Sequence, residues 1–306
     1  MDIRKRVVPN NHLGDPITSV GEREFIFFKV KFNNFRDVSG STANEVTDRE
    51  EWDECECCLC LPENYSEDGE PTQLAIYCHG AGGRVCEETN MIGGVTQILP
   101  CVDAGYAALD VNGSQIHGIT MGCLEHLMAL YKAYKHVVKN YNVTDRIVLS
   151  GESMGGQVAV NFANMFPSIV LTLGLFYPRL NIEGVEVDGH YCLGTWDKFA
   201  STREKIVENF RFPTNDWCEQ NLIGFHSYKI RSFINNEGER VVIPPCPIKV
   251  WQGTEDKTVD PVMVEEFVNS IRRSGSYVEF HKLEGVAHRA NDAMRQELLM
   301  WFNRFI

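Results

Sequence analysis

The chain has 306 residues, of which 43% are hydrophobic and 10% aromatic. A chain of this length buries roughly three quarters of its extended surface, as one large α/β domain or two smaller ones. Its formal net charge is −13, and its 29 basic residues are scattered along the sequence. Because contacts to phosphates need clustered Lys and Arg, this composition argues against a nucleic-acid partner.

The N-terminal segment and the apolar runs bear on membrane contact. No run approaches the roughly 18 apolar residues of a membrane-spanning helix. Residues 1–14 include basic side chains, but no apolar stretch follows them. We therefore expect neither a signal peptide nor an anchor and a cytoplasmic location, although a chain from which a leader had been removed would look the same.

Residues 1–70 contain bulky strand-like runs such as "REFIFFKVKF" and a polar, acidic stretch from Arg36 to Glu54. We interpret this part as edge strands and turns, an N-terminal extension of the same sheet that the rest of the chain forms. The boundaries expected are thus a single domain over 1–306, with the strand extension at 1–70.

Four of the eleven cysteines crowd into "CECCLC", at Cys55, Cys57, Cys58 and Cys60. One interpretation of this cluster is a metal site, but no second cysteine cluster or histidine pair lies at the spacing typical of zinc ligands. The alternative is a strand whose small apolar thiols fill a core in a reducing compartment. We expect the strand, no bound metal and no cofactor.

Strands and helices alternate after about residue 70, which is typical of a parallel sheet with helices on both faces. The apolar runs 72–80 and 105–113 have the composition of buried strands. The remaining predicted strands are 146–151, 170–178, 247–253 and 277–283, and the predicted helices are 117–140, 156–166, 262–275 and 292–305.

Residues 179–246 interrupt this alternation, since one helix would suffice to connect the flanking strands. Long connections in compact domains are usually functional or disordered, and the aromatic content of this one argues against disorder. We predict an inserted cap or lid in which Trp196 and Trp217 contact substrate. A small packed subdomain without substrate contact fits the same segment.

A Gly-x-Ser-x-Gly pattern occupies residues 151–155, between a predicted strand and a predicted helix. A serine held above the end of a sheet needs a strained turn with no Cβ at the flanking positions, which the glycines provide. A serine hydroxyl is a weak nucleophile at neutral pH, so it also needs a base, a carboxylate to orient that base, and donors for the oxyanion. The pattern predicts that Ser153 is the nucleophile. The alternative is that these residues form an ordinary βα turn without a catalytic role.

Residues from about 56 to 306 resemble an α/β-hydrolase of the serine-esterase and prolyl-oligopeptidase-like branch. The resemblance rests on "LPENYSEDGEPTQLAIYCHGAGG" followed by "GESMGG", because a Leu-Pro-x-x-Tyr segment and a His-Gly loop precede the nucleophile in that family. It implies an α/β-hydrolase fold, a mostly parallel central sheet with helices on both faces and an inserted cap. It also implies an oxyanion hole formed by the amides of Met154 and of Ala81 or Gly82. His79 then supports this loop or contacts substrate and is not the base.

The family order of serine, acid and histidine implies the other two catalytic residues. "GTEDKTV" resembles the family loop that carries the acid, which places it at Asp256, with Glu255 and Asp260 as rivals. Asp260 precedes Pro261 at a predicted helix start, where a helix N-cap is its ordinary role. "GVAH" follows the last strand and resembles the family's histidine loop, which makes His288 the base ahead of three other histidines, His117, His226 and His281.

The family implies an esterase acting through an acyl-enzyme, with a small-molecule or sugar ester as substrate and an acetyl or feruloyl carbohydrate esterase as one form. A prolyl-oligopeptidase-like peptidase is the alternative, and a non-catalytic binding protein on a hydrolase scaffold is a third interpretation. The loop "DVNGSQIHG" carries Gln115 and other polar side chains that line a substrate pocket or form a turn.

Overall fold

The computed structural model describes residues 1–11, 14–33, 52–113, 120–182, 184–198 and 232–306. Strands follow one another along these ranges as β1 (Ile3–Val7), β2 (Arg23–Asn33), β3 (Trp52–Cys60), β4 (Leu74–Cys78), β5 (Val85–Cys86), β6 (Met91–Ile92), β7 (Ala107–Val111), β8 (Ile147–Glu152), β9 (Val170–Phe176), β10 (Val185–Val187), β11 (His190–Cys192), β12 (Ser232–Ile234), β13 (Arg240–Val242), β14 (Ile248–Gly253) and β15 (Val278–Leu283). The α-helices are α1 (Leu99–Asp103), α2 (Leu124–Asn140), α3 (Met154–Met165), α4 (Thr195–Lys198), α5 (Pro261–Arg273) and α6 (Asp292–Phe302).

A nine-stranded sheet with the order β1-β2-β3-β7-β4-β8-β9-β14-β15 forms the centre of the molecule. The strands from β7 to β15 in this order pair in parallel, whereas β1, β2 and β3 add an antiparallel edge. The predicted mostly parallel sheet is confirmed. The strands expected in residues 1–70 lie in that same sheet.

Helices cover both faces of the sheet. Buried side chains of α2, α3 and α5 pack with one face into a large apolar cluster. A second cluster joins the opposite face to α1 and α6. The apolar residues of β4 and β7 are buried along their whole length, as expected of strands covered on both sides. Among the described residues, none of the helices has the length and apolar character needed to cross a membrane.

Two helix starts have side-chain caps, and the sequence predicted the one at α5. At α5 the carboxylate of Asp260 accepts a hydrogen bond from the amide of Val262 at 3.0 Å, and Pro261 occupies the first helical position. This is the N-cap role expected of Asp260. At α6 the side chain of Asn291 accepts from the amide of Met294 at 2.9 Å.

The cysteine-rich segment is strand β3, as the packing interpretation predicted. Cys55, Cys57, Cys58 and Cys60 are buried there and form no disulfide. Cys55 and Cys57 point into one apolar cluster, and Cys58 and Cys60 into the other. Because burial raises the pKa of the Cys57 and Cys58 thiols well above the ordinary value, these groups remain protonated and act as small apolar side chains.

The described parts of the predicted cap consist of two antiparallel hairpins and a short helix. β10 pairs with β11, β12 pairs with β13, and α4 follows the first hairpin. Residues 183 and 199–231 lie outside the described residues, so the lid over 179–246 stays a prediction.

Candidate active site

Four parallel strands end at the same edge of the sheet, and each is followed by one of the residues that form the candidate site. Ser153 follows β8, Tyr177 follows β9, Asp256 lies in the loop after β14, and His288 lies in the loop after β15. Parallel strands place their carboxyl ends together, so residues far apart in sequence converge there.

Ser153 occupies a strained turn between β8 and α3. Its backbone has φ 51° and ψ −120°, a conformation that a residue with a Cβ rarely adopts. A Cβ on Gly151 would lie 2.2 Å from the carbonyl oxygen of Gly155, and one on Gly155 would lie 1.9 Å from the carbonyl oxygen of Cys78. The prediction that this turn excludes side chains at its flanking positions is therefore confirmed.

Asp256 and His288 form a hydrogen-bonded pair. The Nδ1 atom of His288 lies 2.7 Å from Oδ2 of Asp256, and the side chains are 21% and 0% exposed. Gln252 donates to the same carboxylate oxygen at 3.1 Å, and the amides of Thr258 and Val259 donate to Oδ1 at 2.8 and 2.9 Å. Every lone-pair region of this buried carboxylate thus faces a donor.

These donors decide the ionisation of the buried carboxylate. Burial by itself raises the pKa of Asp256, but the hydrogen bond from His288 and those from the amides of Val259 and Thr258 outweigh it. The net result is a pKa below the ordinary value, so the group is a carboxylate at neutral pH. The rival Glu255 is exposed, and Asp260 caps α5.

Ser153 and His288 are connected indirectly, through two residues at the end of β9. Its amide donates to the carbonyl of Phe176 at 3.0 Å, and the next residue, Tyr177, packs its ring on that of His288 with centroids 4.4 Å apart. Within the described residues, the Ser153 hydroxyl has no hydrogen bond, to His288 or to any other group. Catalytic hydrogen bonds are often long in ligand-free enzymes and shorten when substrate binds.

The loop after β4 contains the predicted oxyanion donors. Gly80 to Gly83 form a tight turn closed by a 3.0 Å hydrogen bond, and Gly82 has φ 93°. The amides of Ala81 and Gly82 bond to no backbone carbonyl of the described residues. Met154 begins α3, where amides of the first turn have no partner within the helix. A Cβ on Gly80 would lie 3.4 Å from the Cβ of Ser153, so the loop lies directly beside the serine.

His79 lies underneath this loop. Its side chain is 4% exposed, and Nδ1 lies 2.8 Å from Oδ2 of the buried Asp110. Burial lowers the pKa of His79, but the neighbouring Asp110 charge outweighs it and the net pKa is raised. A Cβ on Gly83 would lie 2.8 Å from the imidazole. His79 therefore supports the loop from below, and it also lines the cavity beside the loop.

A cavity of about 290 Å³ is lined in part by this loop. Its wall includes Glu152, the residue before Ser153, together with the 80–84 loop and Gln97. The hydroxyl of Tyr177 donates to Oε2 of Glu152 at 2.7 Å. Burial beside Glu152 raises the pKa of Tyr177 well above the ordinary value, so this hydroxyl stays a donor. Ser153 and His288 do not line this cavity.

Several predicted substrate contacts fall outside the described residues. Gln115 and Trp217 belong to such segments, as do the rival histidines His117 and His226. Trp196 lies in α4, but its side chain is outside the description. His281 lies within β15, as predicted, and its Nδ1 is 2.9 Å from Oε2 of Glu297.

Three residues of the site were not assigned a role from the sequence. Glu152 stands inside the nucleophile motif, and its position beside a serine was the available signal. Tyr177 ends a predicted strand in "LFYP", where only its position at the sheet edge marks it. Gln252 lies in an apolar strand next to the predicted acid loop. A side-chain amide buried there needs hydrogen-bond partners, which was a signal in the sequence for its role.

The sequence matches no protein-family model and no curated protein. Solved structures do match, with identities of 15–17%. A puromycin-hydrolyzing peptidase of Mycobacterium tuberculosis superposes with a TM-score of 0.58 at 15% identity, over 82% of this chain and 38% of that chain. The chain therefore spans well under half the length of that peptidase.

Two esterase-sized structures are covered almost completely. Esterase 2 of Thermogutta terrifontis, phosphonylated by sarin, superposes with a TM-score of 0.55 at 17% identity, over 82% of this chain and 88% of that chain. Est1E of Butyrivibrio proteoclasticus, also matched in a complex with ferulic acid, gives a TM-score of 0.50 at 15% identity, over 82% of this chain and 94% of that chain. With its parallel sheet, its serine turn after β8 and these structural neighbours, the chain has the α/β-hydrolase fold.

Proposed function

We propose that this chain is a serine hydrolase that cleaves carboxylic esters through an acyl-enzyme, with Ser153, His288 and Asp256 as its triad. The observation that carries the proposal is the strained Ser153 turn at the same sheet edge as the Asp256–His288 pair. A strained backbone conformation costs free energy and is common at active sites, and an oriented histidine–carboxylate pair supplies the base that a serine nucleophile needs. Their coincidence at one edge favours a catalytic role over a structural one.

The contact between Nδ1 of His288 and Asp256 supports proton transfer through the other ring nitrogen. With Nδ1 donating its proton to Asp256, the free lone pair of the imidazole is on Nε2. Nε2 takes the proton of the Ser153 hydroxyl as Oγ attacks the acyl carbonyl, and then gives it to the leaving alcohol as the ester bond breaks. Water, deprotonated by the same nitrogen, attacks the acyl-enzyme and releases the acid.

The amides of Met154 and of Ala81 or Gly82 receive the charge that develops on the carbonyl oxygen. They lie on a helix start and on a tight turn, so they are already oriented before substrate arrives. Losing one such donor costs about 10²–10³ in kcat in hydrolases of this kind.

For the substrate class, we favour small esters, with acetylated or feruloylated sugars as one form. The support is the likeness to Est1E, which has been solved with ferulic acid, and to the Thermogutta terrifontis esterase, both of which this chain covers by more than 80%. The shared fold covers 94% and 88% of these two neighbours, so it accounts for most of their length.

A peptidase of the prolyl-oligopeptidase-like type is the second candidate. It is supported by the TM-score of 0.58 to the puromycin-hydrolyzing peptidase. That protein is much longer than the segment shared with this chain, which makes transfer of its activity weaker than transfer of the esterase activity.

Covalent labelling tests the nucleophile. A fluorophosphonate probe should label the full chain on the peptide that contains Ser153, and Ser153→Ala should abolish the label. Ser150 provides a matched control, because its buried hydroxyl lies on the same strand and bonds to the carbonyl of Ile76. Ser150→Ala should retain full labelling; a label that persists in Ser153→Ala would remove that residue from its role.

A substrate panel separates the candidates. We would measure p-nitrophenyl esters of increasing acyl length, acetylated and feruloylated sugars, and prolyl amides with the wild-type chain and with Ser153→Ala. Ester turnover that is lost in Ser153→Ala supports the esterase, and turnover of amides alone supports the peptidase. Absence of both labelling and turnover would favour the binding protein on a hydrolase scaffold.

A further inference from the structure

Three side chains of the types that bind metal ions converge where the β10–β11 hairpin meets the start of α5. A ring nitrogen of His190, Sγ of Cys192 and a carboxylate oxygen of Asp260 all lie within 4.8 Å of one another. No other group of three such side chains is found in the part of the chain that the structure describes. The proposed esterase reaction uses none of them.

The hairpin places two of these donors side by side. Asp188 and Gly189 both have positive φ, 48° and 78°, which forms the two-residue turn between β10 and β11. His190 and Cys192 follow as alternate residues of β11, and alternate residues of a strand lie on the same face. A His-x-Cys pair on a short strand therefore presents nitrogen and sulfur to the same neighbour.

The two carboxylate oxygens of Asp260 have different partners. Oδ1 accepts from the amide of Val262 and caps α5, whereas Oδ2 lies 3.0 Å from Nε2 of His190. The N-cap bond fixes the orientation of the carboxylate, so Oδ2 is held facing the hairpin. Cys192 is buried beneath this pair, and His190 is half exposed to solvent.

The donor set matches that of zinc. Imidazole nitrogen, thiolate sulfur and carboxylate oxygen are its usual protein ligands, at about 2.0–2.3 Å. With these bond lengths, neighbouring donors of a tetrahedral ion lie about 3.3–3.7 Å apart. The 3.0 Å separation of Nε2 and Oδ2 is slightly short of that range, and the 4.8 Å limit of the group is about 1 Å beyond it. Binding of one ion therefore requires that the side chains shift within the set.

We propose that His190, Cys192 and Asp260 bind a divalent transition-metal ion, for which this donor set favours Zn²⁺, with water as the fourth ligand on the exposed side. On binding, the Cys192 thiol releases its proton to solvent and the His190–Asp260 hydrogen bond gives way to two metal bonds. The sequence did not indicate this site, because His190 and Cys192 are only two residues apart and the third ligand, Asp260, lies far along the chain, where a helix cap is its ordinary role.

The site would link the predicted cap to the acid loop. Asp260 stands in the same β14–α5 connection as Asp256, and Lys198 at the end of α4 already donates to the carbonyls of Lys257 and Thr258 in that connection, at 2.8 and 3.1 Å. A metal ion there would add a further connection between the described part of the predicted cap and this loop, so its effect is expected on stability. This inference stands independently of the proposed esterase activity.

Cobalt binding tests the site without reference to activity. The full chain, stripped of metal by a chelator, is titrated with Co²⁺ and followed by absorption spectroscopy. One equivalent should produce tetrahedral d–d bands and a thiolate-to-cobalt charge-transfer band, and Zn²⁺ should displace both. Zn²⁺ should also raise the Tm of the stripped chain, and metal content after dialysis should approach one ion per chain.

Variants assign the signal to the three residues. Cys192→Ser should lose the charge-transfer band, and His190→Ala and Asp260→Asn should each weaken Co²⁺ binding at least about 10-fold. Asp260→Asn keeps an N-cap acceptor for α5, and His190 is half exposed, so both variants should fold even if the buried Cys192→Ser does not.

Two control variants change a cysteine and a histidine outside the proposed metal site. Cys246→Ser removes another thiol outside the site, and His281→Ala breaks a comparable histidine–carboxylate pair with Glu297. Both should bind Co²⁺ like the wild type. Absence of the charge-transfer band in the wild type, or its survival in His190→Ala and Asp260→Asn, would overturn the proposal.

Discussion

The ring of Tyr177 packs against that of His288, with centroids 4.4 Å apart and planes inclined at 57°, while its hydroxyl donates to Glu152 at 2.7 Å. Tyr177 therefore connects the proposed base to the residue beside the proposed nucleophile. Its own backbone has φ 36°, so two successive strands end in strained residues at this edge.

We expect Tyr177 to position His288. Tyr177→Ala removes the surface on which the imidazole rests, and misplacement by about 1 Å can cost roughly 10²-fold in rate, so kcat should fall by about 10–10² with little change in KM. Tyr177→Phe keeps the ring and should keep kcat within about 3-fold, while losing about 1 kcal/mol of stability with the bond to Glu152. Steady-state kinetics and urea unfolding measure both. Equal kcat values for the two variants would contradict a positioning role for the ring.

Ser153→Gly should separate stability from activity. Glycine adopts the φ 51° conformation without the Cβ penalty, so this variant should be about 1 kcal/mol more stable than the wild type. Turnover should fall by about 10⁴ or more, since the members of a triad act as a unit. Ser153→Ala should be equally inactive but no more stable than the wild type. If thermal unfolding ranks Ser153→Gly below Ser153→Ala, the turn does not store strain.

The strands of the sheet were predictable because local apolar runs determine them, whereas the roles of Asp256 and His288 were expectations implied by the family resemblance. Apolar runs ending in glycine predicted the buried strands β4 and β14. His288 was expected in the loop after the last strand because that loop resembles the family's histidine loop, and it lies in the loop after β15. Asp256 and Asp260 were distinguished by the proline that follows Asp260, a signal of helix capping that needs no tertiary information.

The support around the site was not predictable in the same way. The contact of Tyr177 with His288 and that of His79 with Asp110 join loops that only the strand order brings together. The hairpin that brings His190 to Asp260 is specified by a two-residue turn within a segment that its length alone marked as a cap. Periodicity gives no information about which loops will be neighbours.

Asp256 should contribute stability that depends on pH. Its pKa is lowered in the folded chain, so the contribution is fully present above the unfolded value of 3.8 and is lost as pH falls through the lower folded value. We expect wild type to exceed Asp256→Asn in free energy of unfolding near pH 6, and the difference to shrink below pH 4. Urea unfolding of both proteins across this range measures it. Glu279 and Glu297 also have lowered pKa values, but both proteins contain them, so their contributions cancel in the difference. A difference in free energy of unfolding that does not change with pH would contradict the lowered pKa of Asp256.

Gly155 should tolerate no side chain. Its Cβ would lie 1.9 Å from a backbone carbonyl of β4, which cannot move without displacing the sheet, so Gly155→Ala should cost about 3 kcal/mol or more. Gly275 has positive φ but open space around it, and Gly275→Ala should cost only about 1 kcal/mol. Chemical denaturation compares the two. Similar losses for both variants would mean that the elbow relaxes around the added methyl group.

The pair of His79 and Asp110 should control the oxyanion loop. His79→Ala removes the imidazole beneath Gly83 and leaves the buried Asp110 carboxylate without its ring partner, which should cost about 3–5 kcal/mol of stability. Because the loop amides lose their support, kcat should fall by up to about 10²–10³ while KM changes little. His281→Ala is the matched control, since it breaks a half-exposed pair with Glu297 that is worth at most about 1 kcal/mol. Kinetics at a temperature where both variants are folded separate the two effects, and full activity in folded His79→Ala would show that the loop holds its shape without the histidine.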